Sequence, residues 1–302
     1  MVKLPFGVDI NNLIDDLRIF SWEASDILLY YSDIINNSDN KINFISNSNE
    51  KDPVTLADLK VNDLIIQRMK DKYENIDWQI LSEENTKEGP FYLGTQSDWL
   101  WVLDPLDGTK DFIQGTEDFA MHFALNYKGI PKIGIVLIPS KDELWFSNGS
   151  ITWCEGRNGL HKEPKLSEYE SLNQMTLVTS KNHSNKVLKQ LIEKIKFNKK
   201  IAMGSIGCKI ASILRGETDI YISLSLPGQS SPKDWDFAAP QAILESAGGV
   251  ITNLENQCLS YNKNNFKQEG IIIASSSKQT HGIICMQIKE IIQKSKLKSF
   301  FY

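Results

Sequence analysis

The chain has 302 residues, 41% of them hydrophobic, and a formal net charge of −5. That length and apolar content suit one large domain or two intimate ones and exclude a disordered chain. Lys and Arg are scattered rather than gathered into a basic stripe, which excludes a nucleic-acid polymer as partner. From Ile10 to Ile35 the apolar residues Ile10, Leu13, Ile14, Leu17, Phe20, Ala24, Leu28, Tyr31 and Ile35 recur at helical intervals and predict a long amphipathic helix. A polar Asn- and Ser-rich loop with room for one short strand follows, and helical spacing resumes from Ala57 to Tyr73. Short apolar runs then fall at Trp78 to Leu81, Trp99 to Leu103, Phe119 to Tyr127, Ile133 to Ile138 and Glu143 to Phe146, separated by Gly, Pro or Asp. They predict a largely antiparallel meander. Beyond a polar stretch at Lys162 to Leu172 the pattern changes. Strand-like runs at Thr176 to Thr179, Asp219 to Ser223, Gly249 to Asn253 and Gly270 to Ser275 alternate with helical segments at roughly Asn185 to Lys196, Gly207 to Leu214, Phe237 to Ser246 and His281 to Lys294. The expected architecture is an antiparallel α+β half, residues 1–165, packed on an α/β half with a mixed sheet, residues 166–302.

Cys154, Cys208, Cys258 and Cys285 show no C-x-x-C spacing, so they are expected as buried free thiols rather than zinc ligands or disulfides. The N-terminal MVKLPFGVDINNLIDD meets Asp and Asn before any apolar run of signal-peptide length, and no stretch approaches a membrane span. A soluble, cytoplasmic protein with no membrane partner is expected. A monomer and a homodimer are both compatible with the sequence.

Acidic residues stand beside turn or strand-end signals in DPVTLAD (52–58), LSEEN (81–85), WVLDPLDGT (101–109) and KDWDFAAP (233–240). Singly, each has a structural explanation. Thr55 with Asp58 fits a helix-starting capping box, Glu83 and Glu84 fit a solvated turn, and Asp236 fits an N-cap. Asp104 and Asp107 ask for more, because they follow the buried-looking strand WLWVL and two like charges there repel unless a cation lies between them. Pro105 bends the chain so that the two carboxylates can converge, and the Leu106 carbonyl between them offers a third hard oxygen. Gly108 permits close backbone approach to a ligand, and Thr109 opens a short helix whose N–H groups can meet a phosphate. The spacing does not fit an EF-hand, which wants Gly at the sixth position and finds it here at the fifth. Covalent aspartyl-phosphate chemistry of the haloacid-dehalogenase kind is excluded, since its nucleophile would fall on Pro105.

Together, DPVTLAD, SEE, DPLDGT and WDFAAPQAILESAGG resemble the four motifs of the lithium-sensitive, magnesium-dependent phosphomonoesterases that include inositol monophosphatase. The motif-bearing region runs from about residue 52 to 253, and Ser82 stands where that family usually has Gly. The resemblance implies a layered αβαβα sandwich. It implies that Glu83, Asp104, Asp107 and Asp236, with the Leu106 carbonyl, hold two or more Mg²⁺ ions, and that Asp58 and Thr109 take a proton from the attacking water. The chemistry implied is two-metal hydrolysis by in-line attack on phosphorus, with no phospho-enzyme. Asp58 and Asp107 are expected at the surface of a cleft.

TSKNHSNK (179–186), GSIGCKIASILRG (204–216), PGQSSPKDWDFAAPQAIL (227–244) and the Lys110-Asp111 pair are more similar to 3'(2'),5'-bisphosphate nucleotidases than to inositol monophosphatases. In that branch the matching positions Ser180, His183, Ser205 and Lys209 contact the nucleotide and its second phosphate, with Gly108 and Thr109 beside the phosphate that is cleaved. Adenosine 3',5'-bisphosphate is the expected substrate, with adenosine 3'-phosphate 5'-phosphosulfate as a second and sulfur metabolism as the setting. An inositol or sugar phosphate is the alternative on the same metal core. A non-catalytic metabolite sensor is disfavoured by the presence of both Asp58 and Thr109. Trp235 is expected to support Asp236. His122, His161 and His281 are assigned no chemistry.

Overall fold

The computed structural model describes residues 4–37, 45–47, 54–87, 97–182, 185–261 and 265–300. The first half runs α1 (Ile10–Asn37), β1 (Ile45–Asn47), β2 (Val54–Thr55), α2 (Leu56–Tyr73), β3 (Gln79–Ser82), α3 (Glu83–Lys87), β4 (Trp99–Asp107), α4 (Thr109–Gln114), β5 (Ala120–Tyr127), β6 (Ile130–Ile138), β7 (Glu143–Ser147), β8 (Thr152–Glu155) and β9 (His161–Lys162). The second half runs β10 (Thr176–Ser180), α5 (Lys186–Lys194), β11 (Lys199–Met203), α6 (Ile206–Leu214), β12 (Ile220–Ser225), α7 (Asp234–Ser246), β13 (Val250–Asn253), β14 (Gly270–Ser275) and α8 (His281–Gln293).

Among the described residues the strands form two large sheets and one small ribbon of β1 and β2. The larger sheet has the order β3-β4-β5-β6-β7-β8-β9. It is the expected meander except at its edge, where β3 pairs parallel to β4. The smaller sheet has the order β11-β10-β12-β14-β13, parallel at one end and antiparallel at the other. Apart from the exposed edge strands β9 and β11, the strands of both sheets are covered on both faces and are apolar almost throughout rather than alternating.

Strand periodicity assigns the faces. Trp101, Leu103, Phe123, Leu125, Ile135 and Leu137 pack with Leu13, Leu17, Leu28, Val61 and Ile65 of α1 and α2. The intervening Leu100, Val102, Ala124 and Val136 face α6 and α7, which also receive Val178, Tyr221, Ile251 and Ile272 from the smaller sheet. The outer face of that sheet, Leu177, Ile220, Ile222 and Ile273, is covered by Leu188, Leu191, Ile284 and Ile288 of α5 and α8. The layers are therefore α, β, α, β, α, as the motif resemblance implies. The inner faces of both sheets and the helices α6 and α7 between them form one core. Three cysteines are buried as expected, and Cys258 is exposed.

Candidate active site

The site begins with an irregularity at the end of β4. In a regular strand, residues three apart point to opposite faces. Here the β4–β5 register slips between Asp104, which pairs with His122, and Asp107, which pairs with Ala120. Three steps on β4 match two on β5, a β-bulge at Pro105-Leu106, and the extra residue turns Asp107 back toward Asp104. Asp104 Oδ1 accepts the Leu106 amide at 3.1 Å, which pins the bend.

Helix α7 brings the third carboxylate. Asp236 lies in its first turn rather than at the N-cap, and its Oδ2 accepts the Lys233 amide at 2.5 Å. Oxygens of Asp104, Asp107 and Asp236 come within 4.8 Å of one another. Glu83, the first residue of α3 at the end of β3, hydrogen-bonds to Asp104 and is held by Lys87 at 2.9 Å. Burial first, then the charges of Glu83, Asp107 and Asp236, push the Asp104 carboxyl well above the usual carboxylate range. Asp236 is pushed up in the same way, by burial and then by Asp107 and Glu83. Four hard carboxylates that cannot all ionise without a counter-charge, with no nitrogen or sulfur ligand grouped with them among the described residues, are a donor set that fits Mg²⁺.

Beside this cluster, α2 starts with Thr55 as its cap and Asp58 as the reciprocal partner. Asp58 Oδ2 accepts both the Thr55 amide at 2.9 Å and the Thr55 hydroxyl at 2.5 Å. Its Oδ1 lies 3.5 Å from the Thr109 hydroxyl. The capping box and the contact with Thr109 therefore use different oxygens of one carboxylate. Asp58 is 3% exposed, buried rather than at the cleft surface, and burial raises it to about 8 despite the Thr55 bonds. The Leu106 carbonyl accepts the Thr109 hydroxyl at 3.0 Å, and the Leu106 side chain is in the core. Gly108 caps α4 at φ +92°, where a Cβ would stand 2.6 Å from the Asp118 carbonyl, so only glycine fits. Ser82, in the place of the family's usual Gly, is buried and donates to Asn62 at 2.5 Å.

The residues expected on the substrate side divide. Ser205 is the N-cap of α6 at φ +41°, and it donates to Asp107 Oδ2 at 2.7 Å while accepting the Cys208 amide. Asp107 Oδ2 also accepts the amides of Ile206 and Gly207. The start of α6 is thus joined to the acidic cluster through Asp107. Lys209 is 2% exposed and donates to the Gly204 and Ser205 carbonyls at 3.1 and 2.9 Å, with Tyr221 under its ammonium at 5.4 Å. Burial lowers it, against the opposing pull of Asp107. Direct contact with a phosphate would cost Lys209 those carbonyl bonds. Ser180 ends β10, and His183 lies outside the described residues, as do Asp52 and Pro53 of the first motif. Trp235 packs against Phe266 beside Asp236.

Sequence reasoning missed a second tie between the halves. The buried Asp111 carboxylate accepts Asn182 Nδ2 at 2.6 Å and lies 3.5 Å from Lys181 Nζ, and Asp118 accepts the Gly204 amide at 3.1 Å. His122, assigned no chemistry from the sequence, is fully buried under Asp107. The signal was a polar residue inside the apolar strand FAMHFAL.

A profile of the inositol monophosphatase family matches residues 20–293. The chain belongs to the inositol monophosphatase family. Within it, the 3'(2'),5'-bisphosphate nucleotidase CysQ of Buchnera aphidicola is 31% identical over 265 residues, 86% of this chain and 93% of that protein. The inositol-1-monophosphatase of Bacillus subtilis is 26% identical over 220 residues, 72% of this chain and 78% of that protein. The fold is shared with the Thermotoga maritima IMPase, at TM-score 0.71 and 22% identity over 94% of this chain and 99% of that one. It is shared equally with the inositol monophosphatase of Anabaena, at TM-score 0.70 and 21% identity over 97% and 100%. As a member of the inositol monophosphatase family with this acidic cluster, the chain is a metal-dependent phosphatase of small phosphate esters. Among the described residues no helix is long and apolar enough to cross a membrane.

Proposed function

We propose that this chain removes the 3'-phosphate of adenosine 3',5'-bisphosphate, giving AMP and phosphate, and accepts adenosine 3'-phosphate 5'-phosphosulfate as well. The observation that carries the reading is the meeting of Asp104, Asp107 and Asp236 within 4.8 Å, with the Asp58–Thr109 pair beside them. The nucleotide is supported by the CysQ relatives in other organisms, at 31, 28 and 26% identity. The Lys110-Asp111 and Lys209 signatures in the sequence point the same way.

Glu83, Asp104, Asp107 and Asp236 would hold Mg²⁺, with the Leu106 carbonyl as a further oxygen. Bound there, divalent cations supply positive charge to the phosphoryl oxygens and make a nucleophile of water near neutral pH. Asp58 takes the proton of the attacking water through Thr109: its Oδ2 is occupied by Thr55, its Oδ1 faces the Thr109 hydroxyl, and that hydroxyl turns its one proton from the Leu106 carbonyl to Asp58 Oδ1 as its oxygen accepts the proton of the water. Gly108 and the first amides of α4 lie where the scissile phosphate is received. Ser180, His183 and Ser205 contact the nucleoside side. Lys209 adds its charge from beneath the Gly204-Ser205 turn, keeping that turn in place for the second phosphate.

Turnover of adenosine 3',5'-bisphosphate and inositol 1-phosphate at equal Mg²⁺ tests the assignment. Preference for the bisphosphate is expected. Equal or reversed preference would defeat the nucleotide reading and leave an inositol or sugar phosphate as substrate. No phosphate released from either would defeat the hydrolase.

A further inference from the structure

His122 interrupts β5, AMHFALNY, at the position paired with Asp104. Its ring is completely buried, and neither nitrogen makes a hydrogen bond of good geometry, its polar contacts being Asp107 Oδ2 and the Trp235 backbone. Burying an imidazole with such weak partners is unfavourable, so a purely space-filling position there would favour Leu or Phe. The surroundings of the ring suggest why it is kept. Nε2 lies 3.4 Å from Asp107 Oδ2, and the backbone of Trp235, the neighbour of Asp236, also faces the ring. The same Asp107 oxygen receives the Ser205 hydroxyl and the Ile206 and Gly207 amides from the start of α6. Space for the imidazole exists only because residue 207 is glycine: a Cβ there would stand 2.3 Å from Nε2 and 3.0 Å from Cδ2. Asp107 Oδ2 is therefore bonded by the start of α6 and approached by His122 from β5, and all four of these contacts fall on Oδ2 rather than Oδ1.

We propose that His122 is a positioning residue for the cation site, holding Asp107 through Oδ2 so that Oδ1 is presented to the cation in a single rotamer. The proposal rests on the acidic cluster being a cation site, as argued above. It assigns the imidazole no contact with cation or substrate and no proton to transfer. Partners that orient a metal ligand from behind typically contribute 10–100-fold to affinity, and the arrangement here predicts an effect of that order.

The test is Mn²⁺ titrated into chelator-treated full-length protein, followed by the loss of the free-ion EPR signal, with Mg²⁺ calorimetry alongside. His122→Leu is expected to weaken Mn²⁺ about tenfold while the melting temperature of the cation-free protein stays near wild type. His122→Gln, whose amide reaches as far along the side chain as Nε2, is expected to restore most of the affinity. Gly207→Ala, which forces the ring away from Asp107, is expected to weaken Mn²⁺ as the leucine variant does. Unchanged affinity in His122→Leu, or equal loss in the Leu and Gln variants, would overturn the proposal. If the leucine variant does not fold, Gly207→Ala decides, and wild-type Mn²⁺ affinity in it overturns the proposal. A wild-type protein that binds no Mn²⁺ would instead sink the cation site itself, a separate outcome.

Discussion

The Thr109 hydroxyl stands 3.5 Å from Asp58 Oδ1, joining two residues 51 apart in sequence, while the other oxygen of Asp58 is fully engaged by Thr55. This division of one carboxylate predicts that Asp58→Asn separates chemistry from folding. The asparagine carbonyl can still accept both Thr55 donors, so the start of α2 survives. Its amide cannot take a proton from Thr109. Turnover is expected to fall about 10²–10⁴-fold with the melting temperature little changed. Wild-type turnover in this variant would remove Asp58 from the chemistry and reopen a role as a sensor.

Asp104→Asn is predicted to have opposite effects with and without cation. The wild-type carboxyl is 1% exposed and lies among Glu83, Asp107 and Asp236. Replacing it with a neutral amide removes a buried like-charge conflict, so the chelator-treated protein should melt at a higher temperature than wild type. The same change removes a hard ligand, so Mg²⁺ should no longer stabilise the fold. In wild type, Mg²⁺ at a hundred times its dissociation constant should contribute about 2.7 kcal/mol. Thermal melts of both proteins with and without Mg²⁺ check both halves, and a variant that Mg²⁺ stabilises as much as wild type would contradict the assignment.

The raised carboxyls also set a pH dependence for the cation-free protein. Asp58 goes from an ordinary value of 3.8 to about 8 on folding, and Asp104 and Asp236 are raised as well. The folded state then holds more protons than the unfolded chain across that interval, so unfolding free energy falls as pH rises. The stability Asp58 contributes is complete below about pH 4 and lost as pH climbs through about 8. Melting temperatures in chelator should decline from pH 5 to pH 8, and the increment from Mg²⁺ should be larger at pH 8, where fewer protons have to be displaced from the carboxyls. An increment independent of pH would count against a carboxylate site.

Gly108→Ala tests the turn that carries Thr109. At φ +92° a side chain is strained, at a typical cost of about 1–3 kcal/mol. Here its Cβ would also meet the Asp118 carbonyl at 2.6 Å. Urea denaturation should show a loss of at least that size, with turnover reduced because Asp107 and Thr109 flank the displaced turn. A variant as stable and active as wild type would show that the turn adapts.

Local chemistry made much of this protein legible from sequence alone. The Ile10–Asn37 and Leu56–Tyr73 helices announce themselves by apolar spacing, and the strands from Trp99 to Ser147 by β-forming runs between Gly, Pro and Asp. The capping box of Thr55 and Asp58, the glycine at 108 and the four acidic motifs are likewise short-range patterns. β11 escaped because KKIAM is an exposed edge strand with no apolar alternation to reveal it. What no window of residues could supply is the meeting of groups from different elements. Asp104 and Asp107 converge only because a bulge against β5 cancels the two-residue period, and Asp236 reaches them only because α7 packs between two sheets. The burial of Lys209 and the placement of His122 under Asp107 depend on the same layering. Hydrophobic periodicity selects which face of an element is covered, but packing of the covered faces decides which polar ends come within bonding distance, and that depends on the whole fold at once.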